Sequence, residues 1–451
     1  MRRWLTALIV LAVLGGVAIW SAFWFRGQAL PPIRVGILHS KTGPMEISEK
    51  SMIDAEVLAL EEINETGLLG RKIDWVIADG RSDWPTFARE AQRLIDEEKV
   101  SVIFGCWTSA SRKSVKPVVE QKNHLLIYPM AYEGLEQSPN IIYIGAAPNQ
   151  QVIPAVSWCY EKLKARKFFL VGSDYVWPHC VNEIAKDELK ALGAECVGES
   201  YILFGSSDVG ASIEAIRKAK PDVIISTVVG DSNGPFYQRL QTAGILPNRT
   251  PVVSFSIAED ELRKLPLSTM VGDYAAWDYF QSIDRPENRE FVKRFQKRYP
   301  DNRVTSDVIE AAYNSVWLWA QAVSEADTEN VADVIKAMRR QSLNAPEGIV
   351  SVDDETQHTW RPVYVGRIRS DGQFDLVWSS EKPVRPIPYP RSRSREEWNS
   401  FLDNLYRTWG GWANPGTGRA SQGVSGVRSS PPPSELETRV STGKNMAQTA
   451  G

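Results

Sequence analysis

The stretch from Val102 to Gly134 constrains the fold of this chain most strongly. An apolar run, Val102–Phe104, ends in the turn GCWTSAS, an amphipathic segment follows, and a second apolar run, Leu125–Tyr128, ends in PMAYEG. Since an amphipathic helix between two apolar strands is typical of a parallel crossover, the stretch predicts strand, helix, strand. In open α/β sheets ligands bind beyond the carboxyl ends of the strands, so both turns are candidate walls of a pocket for a small polar molecule.

The same alternation recurs along the chain. It predicts two α/β units in series, about 33–147 and 148–275, each built on a parallel sheet covered by helices. A chain of 451 residues is long enough for more than one domain. Within the first unit, Ser48 is expected to cap a helix that runs toward Gly67, and Asp83 to open the next one. Strands are predicted at Ile33–Leu38, Ile73–Ala78, Val102–Phe104, Phe168–Val171, Val223–Thr227 and Val252–Phe255, later helices at 286–299 and 305–325, and a β-rich piece at 347–378.

Composition excludes some classes of protein and leaves others open. A net charge of −3 argues against nucleic-acid binding, which usually needs a basic surplus. The four cysteines have no C-x-x-C spacing and the four histidines form no pair at metal-ligand spacing, so no metal site and no cofactor are predicted. The cysteines read as small buried side chains, although export would allow a disulfide such as Cys180–Cys196. His39, which ends a strand, could line a site, but the structural role is the favoured one.

The N-terminal segment 1–30 reads as a signal anchor or a signal peptide. Trp4–Phe25 is uncharged and follows Arg2-Arg3. At about 1.5 Å per residue it is long enough to cross a hydrocarbon core of roughly 30 Å. Large side chains at the end of this apolar segment favour an uncleaved anchor over a cleaved signal peptide. We therefore expect the rest of the chain outside the cytoplasm, held to the cytoplasmic membrane by residues 4–25.

The amino-acid composition changes after Glu381. Residues 381–415 form a Pro/Arg/Trp extension with a helical face of Trp398, Phe401, Leu402, Leu405 and Trp409. That face could dock on a lobe, on the membrane surface or on a partner. Residues 416–451 lack aromatic side chains and are rich in Ser, Gly, Pro and Thr, which predicts a disordered tail.

Motifs of catalysis are missing from the sequence. It has no phosphate loop of the G-x-x-x-x-G-K type, no strand-linked G-x-G-x-x-G, no H-E-x-x-H and no nucleophile elbow, so we do not predict an enzyme. What remains are the strand-end turns. The hydroxyls of Thr108 and Ser109 lie where a helix begins, and they could cap that helix or bind a ligand oxygen.

Carboxylates and aromatic rings complete the strand-end turns. Glu133, Asp174 and Asp231 could be turn residues or acceptors for N–H donors of a ligand. Aromatic side chains in the same turns belong either to the core or to the flat walls of a site. A neutral amide needs this mixture of an acceptor for its NH₂, a donor for its C=O and flat walls. The aromatic candidates are Trp107, Tyr128, Tyr132, Tyr175 and Trp177.

From about Ile33 to Trp378 the sequence resembles the substrate-binding proteins of urea and short-chain amide ABC transporters. This is a branch of the type I periplasmic binding proteins, the leucine-binding-protein-like family. The resemblance is carried by VGILHSKTG, FGCWTSASRK, GSDYVWP, GDSNGPFY and RVTSD. Met130-Ala131 departs from the polar residue often found there in urea binders.

The resemblance implies two doubly wound α/β lobes joined by three crossovers, with the ligand in the cleft between them. The first lobe would be 33–147 plus 276–345 and the second 148–275 plus 346–380. Together with the hydroxyl of Thr108, it suggests the following ligand-binding residues: Trp107, Thr108, Ser109, Tyr128, Ala131, Tyr132, Glu133, Tyr175 and Asp231.

The function expected from the resemblance is capture of urea or a short-chain amide outside the cytoplasm. The partner would be an ABC permease to which the closed form delivers its ligand. Two rivals stay open at this stage: a membrane-tethered amide or amino-acid sensor without a transport role, and an amide-hydrolysing enzyme.

Overall fold

The computed structural model of this protein describes residues 30–415. The predicted anchor Trp4–Phe25 and the predicted tail 416–451 lie outside these residues. Within the described part, no helix combines the length and apolar character needed to cross a membrane.

A five-stranded parallel sheet forms the core of the first lobe. Its strand order is β2-β1-β3-β4-β5. Helix α2 is capped as expected, because the Thr86 N–H donates to the Asp83 carboxylate over 3.0 Å. The strands are β1 (Ile33–His39), β2 (Ile73–Asp79), β3 (Ile103–Gly105), β4 (Leu126–Tyr128) and β5 (Ile141–Tyr143), and the helices between them are α1 (Glu46–Thr66), α2 (Trp84–Asp96) and α3 (Ser109–Gln121).

Helix α1 begins earlier than the sequence pattern predicts. We expected Ser48 to be its cap, but the first helical residue is Glu46 and the cap position belongs to Met45, whose side chain makes no cap hydrogen bond. The chain already turns at Gly43, whose φ is +89°, and the Glu46 N–H donates to the Gly43 carbonyl over 3.0 Å. Ser48 therefore lies inside the first helical turn.

A seven-stranded sheet in the order β15-β14-β10-β9-β8-β6-β7 forms the core of the second lobe. It is mixed, because β14 is antiparallel to both of its neighbours, β10 and β15. The remaining strands, β11 to β13, make a separate antiparallel sheet. The strands are β6 (Lys167–Ser173), β7 (Glu195–Ile202), β8 (Val223–Thr227), β9 (Val252–Ser254), β10 (Tyr274–Trp277), β11 (Ser342–Ala345), β12 (Gly348–Val352), β13 (Thr359–Trp360), β14 (Tyr364–Ile368) and β15 (Phe374–Ser379).

The other helices cover this sheet or return to the first one. Helix α10 packs on the first lobe, where the ring of Trp319 meets Phe104 of β3 edge-on at 5.7 Å. The helices are α4 (Val152–Glu161), α5 (Val176–Leu192), α6 (Gly210–Ala219), α7 (Asn233–Thr242), α8 (Glu259–Leu262), α9 (Pro286–Arg298), α10 (Asp307–Ala326), α11 (Val331–Met338) and α12 (Arg395–Trp409).

The chain passes between the sheets three times. It leaves the first sheet after β5 and enters the second at β6, returns after β10 to supply α10, and crosses again to reach β14. The fold is thus an α/β protein of two lobes. The four cysteines are all unpaired, so the disulfide Cys180–Cys196 that export would allow is not formed.

A buried charge cluster ties the crossovers together; we call it the crossover cluster. Its centre is Arg361, which is fully buried. The guanidinium lies 2.6 Å from Glu310, 2.7 Å from Glu347, 3.4 Å from Asp278 and 3.8 Å from Asp307. One cation therefore faces four buried carboxyl groups.

That imbalance shifts the titration of the carboxyl groups. Burial raises the pKa of Asp278 and of Glu310 well above the usual range, against the attraction of Arg361. Burial likewise raises the pKa of Asp307, to about 6. The crossover cluster consequently retains protons at pH values where a carboxyl group in water has lost them.

The C-terminal extension folds onto the body of the protein. Helix α12 is capped by Ser394, whose hydroxyl accepts from the Glu397 N–H over 3.2 Å. The predicted apolar face is turned inward, with Trp398 fully buried and Leu402 and Leu405 nearly so. Of the three docking surfaces that the sequence left open, the structure shows the one on the lobes.

Candidate functional site

The turn after β3 carries the first three predicted site residues, Trp107 to Ser109. It is tight against β1: a Cβ on Gly105 would lie 2.2 Å from the Leu38 carbonyl oxygen, and the φ of Gly105 is +156°. Only glycine fits here. Thr108 caps α3, since its Oγ1 accepts from the Ser111 N–H over 3.0 Å. The capping alternative for Thr108 is thus the one observed, and Ser109 is left facing the next strand end.

Four charged side chains meet where β3 and β4 end; we call them the cleft cluster: Arg112, Lys113, Glu133 and Glu136. The Arg112 guanidinium donates to Glu133 and to Glu136, each over 2.9 Å. Lys113 Nζ donates to Glu136 over 3.0 Å and lies 3.6 Å from Glu133. The Ser109 hydroxyl donates to Glu133 and accepts from Arg112. The structure thereby joins two predicted site residues, Ser109 and Glu133, by a direct hydrogen bond, and Arg112, which sequence reasoning missed, bonds both.

The cleft cluster is buried but balanced in charge. Burial opposes ionisation of Glu136, yet Lys113 and Arg112 outweigh it and hold the pKa of Glu136 well below its usual range. Burial likewise opposes the charge on Arg112, and Glu136 and Glu133 raise its pKa well above the usual range. Within the described residues, the two cations of the cleft cluster therefore face two carboxyl groups, so positive and negative groups are equal in number.

Tyrosine rings enclose the cleft cluster. The Arg112 guanidinium lies 4.8 Å from the ring centre of Tyr128 and 4.3 Å from that of Tyr132. The Tyr128 hydroxyl donates to the Trp107 carbonyl over 2.7 Å, and the Tyr132 hydroxyl bonds His358. Ala131, also a predicted site residue, is buried beside them. The rings of Tyr128 and Tyr132 pack against the Arg112 guanidinium and fix its position. They therefore stabilise the cleft cluster as well as lining the candidate site.

Tyr175 brings the second lobe to the site. It lies just before α5, is fully buried, and its ring stacks 6.5 Å from Trp84 of the first lobe. Burial raises the pKa of Tyr175 well above the usual range, and the nearby Tyr128 and Glu133 raise it further. Tyr175 therefore faces the cleft cluster across the interlobe cleft.

Asp231 is placed differently from the other eight predicted residues, because its side chain is exposed. Its backbone N–H donates to the Pro44 carbonyl of the first lobe over 3.3 Å. Burial and Glu46 both raise the pKa of its carboxyl group. At the preceding Gly230, φ is +61° and a Cβ would lie 2.5 Å from the Pro44 oxygen. This loop closes the lobes on each other through its backbone.

Several buried polar atoms near these strand ends have no hydrogen-bond partner within residues 30–415, and they include Glu49 Oε1, Trp107 Nε1 and Trp177 Nε1. Glu49 projects from α1, and its other oxygen accepts from the Ser40 N–H, just after β1, over 2.5 Å. Burial raises the pKa of Cys106, in the turn after β3, and Glu49 raises it further. Burial also raises the pKa of Tyr175, to which Glu49 adds less than Tyr128 and Glu133 do. These three atoms are one acceptor and two donors that the described residues leave without a hydrogen bond.

His39 forms a buried ion pair with Glu49. The imidazole is fully buried, 3.0 Å from Glu56 and 3.8 Å from Glu49. Burial opposes its charge, but the two carboxylates outweigh burial and raise the pKa of His39 to about 9. The predicted structural role of His39 is observed, and it consists of partly neutralising the carboxylate that faces the cleft.

One of the two missed residues, Arg112, has a signal in the sequence that could have found it. Arg112 follows Ser109 by one helical turn, which puts both on one face of α3. Glu49 has no comparable signal, because only the fold brings α1 to the end of β3.

Among residues 30–415, no group of three or more His, Cys, Asp or Glu side chains is arranged to hold a metal ion.

Comparison with known proteins identifies the family. The model of the periplasmic binding protein domain matches residues 33–395, and the chain belongs to this family.

Individual relatives are distant. A Leu/Ile/Val-binding protein homolog 6 of Brucella suis is 21% identical over 357 residues, 76% of this chain and 89% of that protein. A limonene hydroxylase of Geobacillus stearothermophilus is 33% identical over 117 residues, but the match spans only 26% of this chain and 21% of that protein. A solute-binding protein of an ABC transporter from Rhodopseudomonas palustris, solved with 3,4-dihydroxybenzoic acid, has a TM-score of 0.71 at 21% identity, over 79% of this chain and 98% of that one. These likenesses show the two-lobed fold.

Proposed function

We propose that this chain is an extracytoplasmic solute-binding protein that captures urea or a short-chain amide between its lobes and delivers it to an ABC permease. The observation that carries the proposal is the open set of buried polar atoms: Trp107 Nε1 and Trp177 Nε1 as donors, Glu49 Oε1 as acceptor. A buried polar atom without a partner is costly, so a ligand that completes the set gains from doing so. An amide offers a carbonyl for the indoles and an N–H for the carboxylate.

The charge of the site favours a neutral ligand over an acid. Arg112 and Lys113 are already matched by Glu133 and Glu136, and the open polar atom of Glu49 is a carboxyl oxygen. A ligand carboxylate would enter without a free cation to receive it, and burial of an unpaired charge is unfavourable. Although the Brucella relative is named for leucine, isoleucine and valine and the Rhodopseudomonas protein holds a benzoic acid, these balanced charges support an uncharged amide for this chain.

Closure supplies the rest of the function. Tyr175 approaches from the second lobe, and the loop before Asp231 bonds Pro44. A ligand that bonds both lobes shifts the equilibrium toward this closed arrangement, which a permease can recognise. Since the best small ligands gain about 1.5 kcal/mol per heavy atom, urea is limited to about −6 kcal/mol, a Kd of roughly tens of micromolar. We further propose that residues 4–25 hold the protein to the cytoplasmic membrane.

The test is calorimetric titration of urea and acetamide into the full chain and into two variants. Glu49→Gln and Trp107→Phe should each weaken binding by about tenfold or more, because each removes one hydrogen bond to the ligand. The matched control is Trp317→Phe on α10, whose ring packs 6.3 Å from Tyr313. The melting temperature of the ligand-free variants should stay near that of the wild type.

Equal affinities in all four proteins would contradict the assignment of these atoms to the ligand. Ammonia release from urea by the purified protein would instead support an enzyme.

A further inference from the structure

The C-terminal segment 381–414, which we call the strap, first attaches to the first lobe and the neighbouring crossover. The Leu135 N–H, just after β4, donates to the Pro388 carbonyl over 2.8 Å. The Asn149 side chain donates to the Arg385 carbonyl over 2.8 Å and accepts from the Ile387 N–H over 2.7 Å. These are backbone-directed bonds, so they fix the path of the strap whatever its side chains are.

Five residues further on, the strap attaches to the second lobe. Arg393 forms two hydrogen bonds of 2.8 Å with Asp187 and a third of 2.7 Å with Glu183, both on α5. The guanidinium also lies 4.5 Å from the ring centre of Trp398. A bidentate, partly buried arginine is a stronger anchor than an ordinary surface ion pair.

The short distance between the anchors limits how far the lobes can part. Only residues 389–392 separate Pro388 from Arg393, and five fully extended steps span about 18 Å at most. While both anchors hold, this edge of the cleft cannot open further than that reach.

The end of the strap attaches to the loop that carries Tyr175. The Val176 N–H donates to the Trp412 carbonyl over 2.9 Å, and Asn414 donates to the Asp174 carbonyl over 3.2 Å. Ala413 and Tyr175 thereby pair as an antiparallel bridge. The strap adds a short strand to the very loop that closes on the first lobe.

The same end also reaches across to the cleft cluster. Lys113 Nζ lies 4.9 Å from the ring centre of Trp412. Since Lys113 belongs to the first lobe and the Trp412 backbone is bonded to the second, this contact exists only while the lobes are close. It adds a direct bridge to the two anchors.

We propose that the strap is a built-in latch: it stabilises the closed lobes, holds Tyr175 in position and slows ligand exchange at the cleft. The inference rests on the proposed function for its effect on the ligand, but the closure it describes does not need one. The family match ends at Arg395, so most of α12 and the Trp412 end lie beyond the shared part of the chain.

The test is hydrogen–deuterium exchange of the full, ligand-free chain in detergent, comparing the wild type with an Arg393→Ala/Trp412→Ala double variant. The amide of Asp231, which bonds Pro44 across the lobes, reports closure, and the amide of Val176 reports strap attachment. Both should exchange about tenfold faster in the double variant, since two of the latch contacts are lost. The Ile225 amide in β8 should keep its protection.

Arg407→Ala is the matched control, because Arg407 lies on α12 with a side chain that is 82% exposed. It should leave all three amides unchanged. Faster exchange at Val176 with an unchanged Asp231 would overturn the latch, since the strap would be released from closed lobes. Unchanged exchange at both amides would overturn the assigned anchors. If Ile225 also loosens, the milder Arg393→Gln variant is measured and judged by the same criteria.

A second arm separates the latch from the proposed function. Urea dissociation, followed by stopped-flow tryptophan fluorescence, should be about tenfold faster in the double variant. If urea and acetamide fail to bind the wild type, the proposed ligand is wrong while the exchange result stands. If urea binds and leaves both proteins at the same rate, the latch does not control the site.

Discussion

The cleft cluster and the crossover cluster are both buried, and both are organised by an arginine, yet they differ in balance. Arg112 shares two carboxylates with Lys113, whereas Arg361 alone faces four carboxyl groups. The two cations of the first cluster face two carboxyl groups, whereas in the second cluster burial raises the pKa values of Asp278, Asp307 and Glu310.

The difference teaches what each region is suited for. A balanced cluster is suited to be a fixed scaffold, because each cation has carboxyl partners. This suits a site that holds Ser109 and the tyrosines for a neutral ligand. An unbalanced cluster at the crossovers makes the joint between the lobes sensitive to protons. The following substitutions break one cluster or the other, from the largest expected effect to the smallest.

Arg361→Met should have the largest effect on stability. It leaves four buried carboxyl groups without their cation, and we expect the free energy of unfolding to fall by about 3–5 kcal/mol. Arg112→Met should cost less, because Lys113 remains beside Glu133 and Glu136. Guanidinium chloride unfolding at pH 7, followed by tryptophan fluorescence, compares the two. A larger loss in Arg112→Met would reverse the ranking of the clusters.

Glu136→Gln and Glu310→Gln are the same chemical change in opposite environments. Glu136 has a pKa held well below its usual range, so its charge stabilises the fold at pH 7, and its loss should cost about 2–4 kcal/mol. Burial raises the pKa of Glu310 well above its usual range, so its ionised form stabilises the fold less than that of Glu136 does, and glutamine is a milder change there. We expect a change within about 1 kcal/mol, measured by the same unfolding experiment. Equal losses would mean that the two carboxyl groups share one protonation state.

Asp307→Asn should remove part of the pH dependence of stability. The folded pKa of Asp307 is raised to about 6, against roughly 3.9 in an unfolded chain, so the folded state binds the extra proton. Its contribution is complete below about pH 4 and is lost as the pH rises toward 6, up to about 2.8 kcal/mol. Unfolding curves at several pH values should show this fall in the wild type and a flatter profile in Asp307→Asn. Identical profiles would exclude a proton on Asp307.

Ser109→Ala should have a small effect on stability, similar in size to the limit expected for Glu310→Gln. It removes the hydroxyl that bonds Glu133 and Arg112, which should cost about 1 kcal/mol of stability. Ser114→Ala is the matched control on the same helix, because its hydroxyl only returns to the Ala110 carbonyl. It should change stability by less than about 0.5 kcal/mol. A larger loss in the control would show that helix propensity, and not the cleft cluster, sets the difference.

Much of the fold could be predicted because strand and helix signals are local. The apolar run Val223–Thr227 forms β8 with the predicted bounds, and Asp83 caps α2 as its position before Trp84-Pro85 indicates. The antiparallel edge of the second sheet could not be predicted, since β14 pairs with β10 across more than one helix. The start of α1 was missed because the turn at Gly43 competes with the cap signal of Ser48.

The contacts within the two clusters also fall into those that the sequence could predict and those that it could not. Ser109 and Glu133 follow neighbouring strands, so their meeting could be expected from the rule for parallel sheets. The partners of Arg361 lie far apart in sequence, at Asp278 and Glu347 among others, and only the fold brings them together. Glu49 was not predicted as a site residue for the same reason. Pairings of distant charges depend on tertiary packing, which no local pattern encodes.

The measurement that tests the account most directly is a calorimetric titration of the full chain with five ligands in parallel: urea, acetamide, formamide, leucine and 4-hydroxybenzoate. Because the cleft cluster is balanced in charge and the open acceptor is a carboxyl oxygen of Glu49, the account predicts saturable binding of urea or another amide and no heat from the two acids. Binding of leucine or 4-hydroxybenzoate with silence from the amides would contradict it.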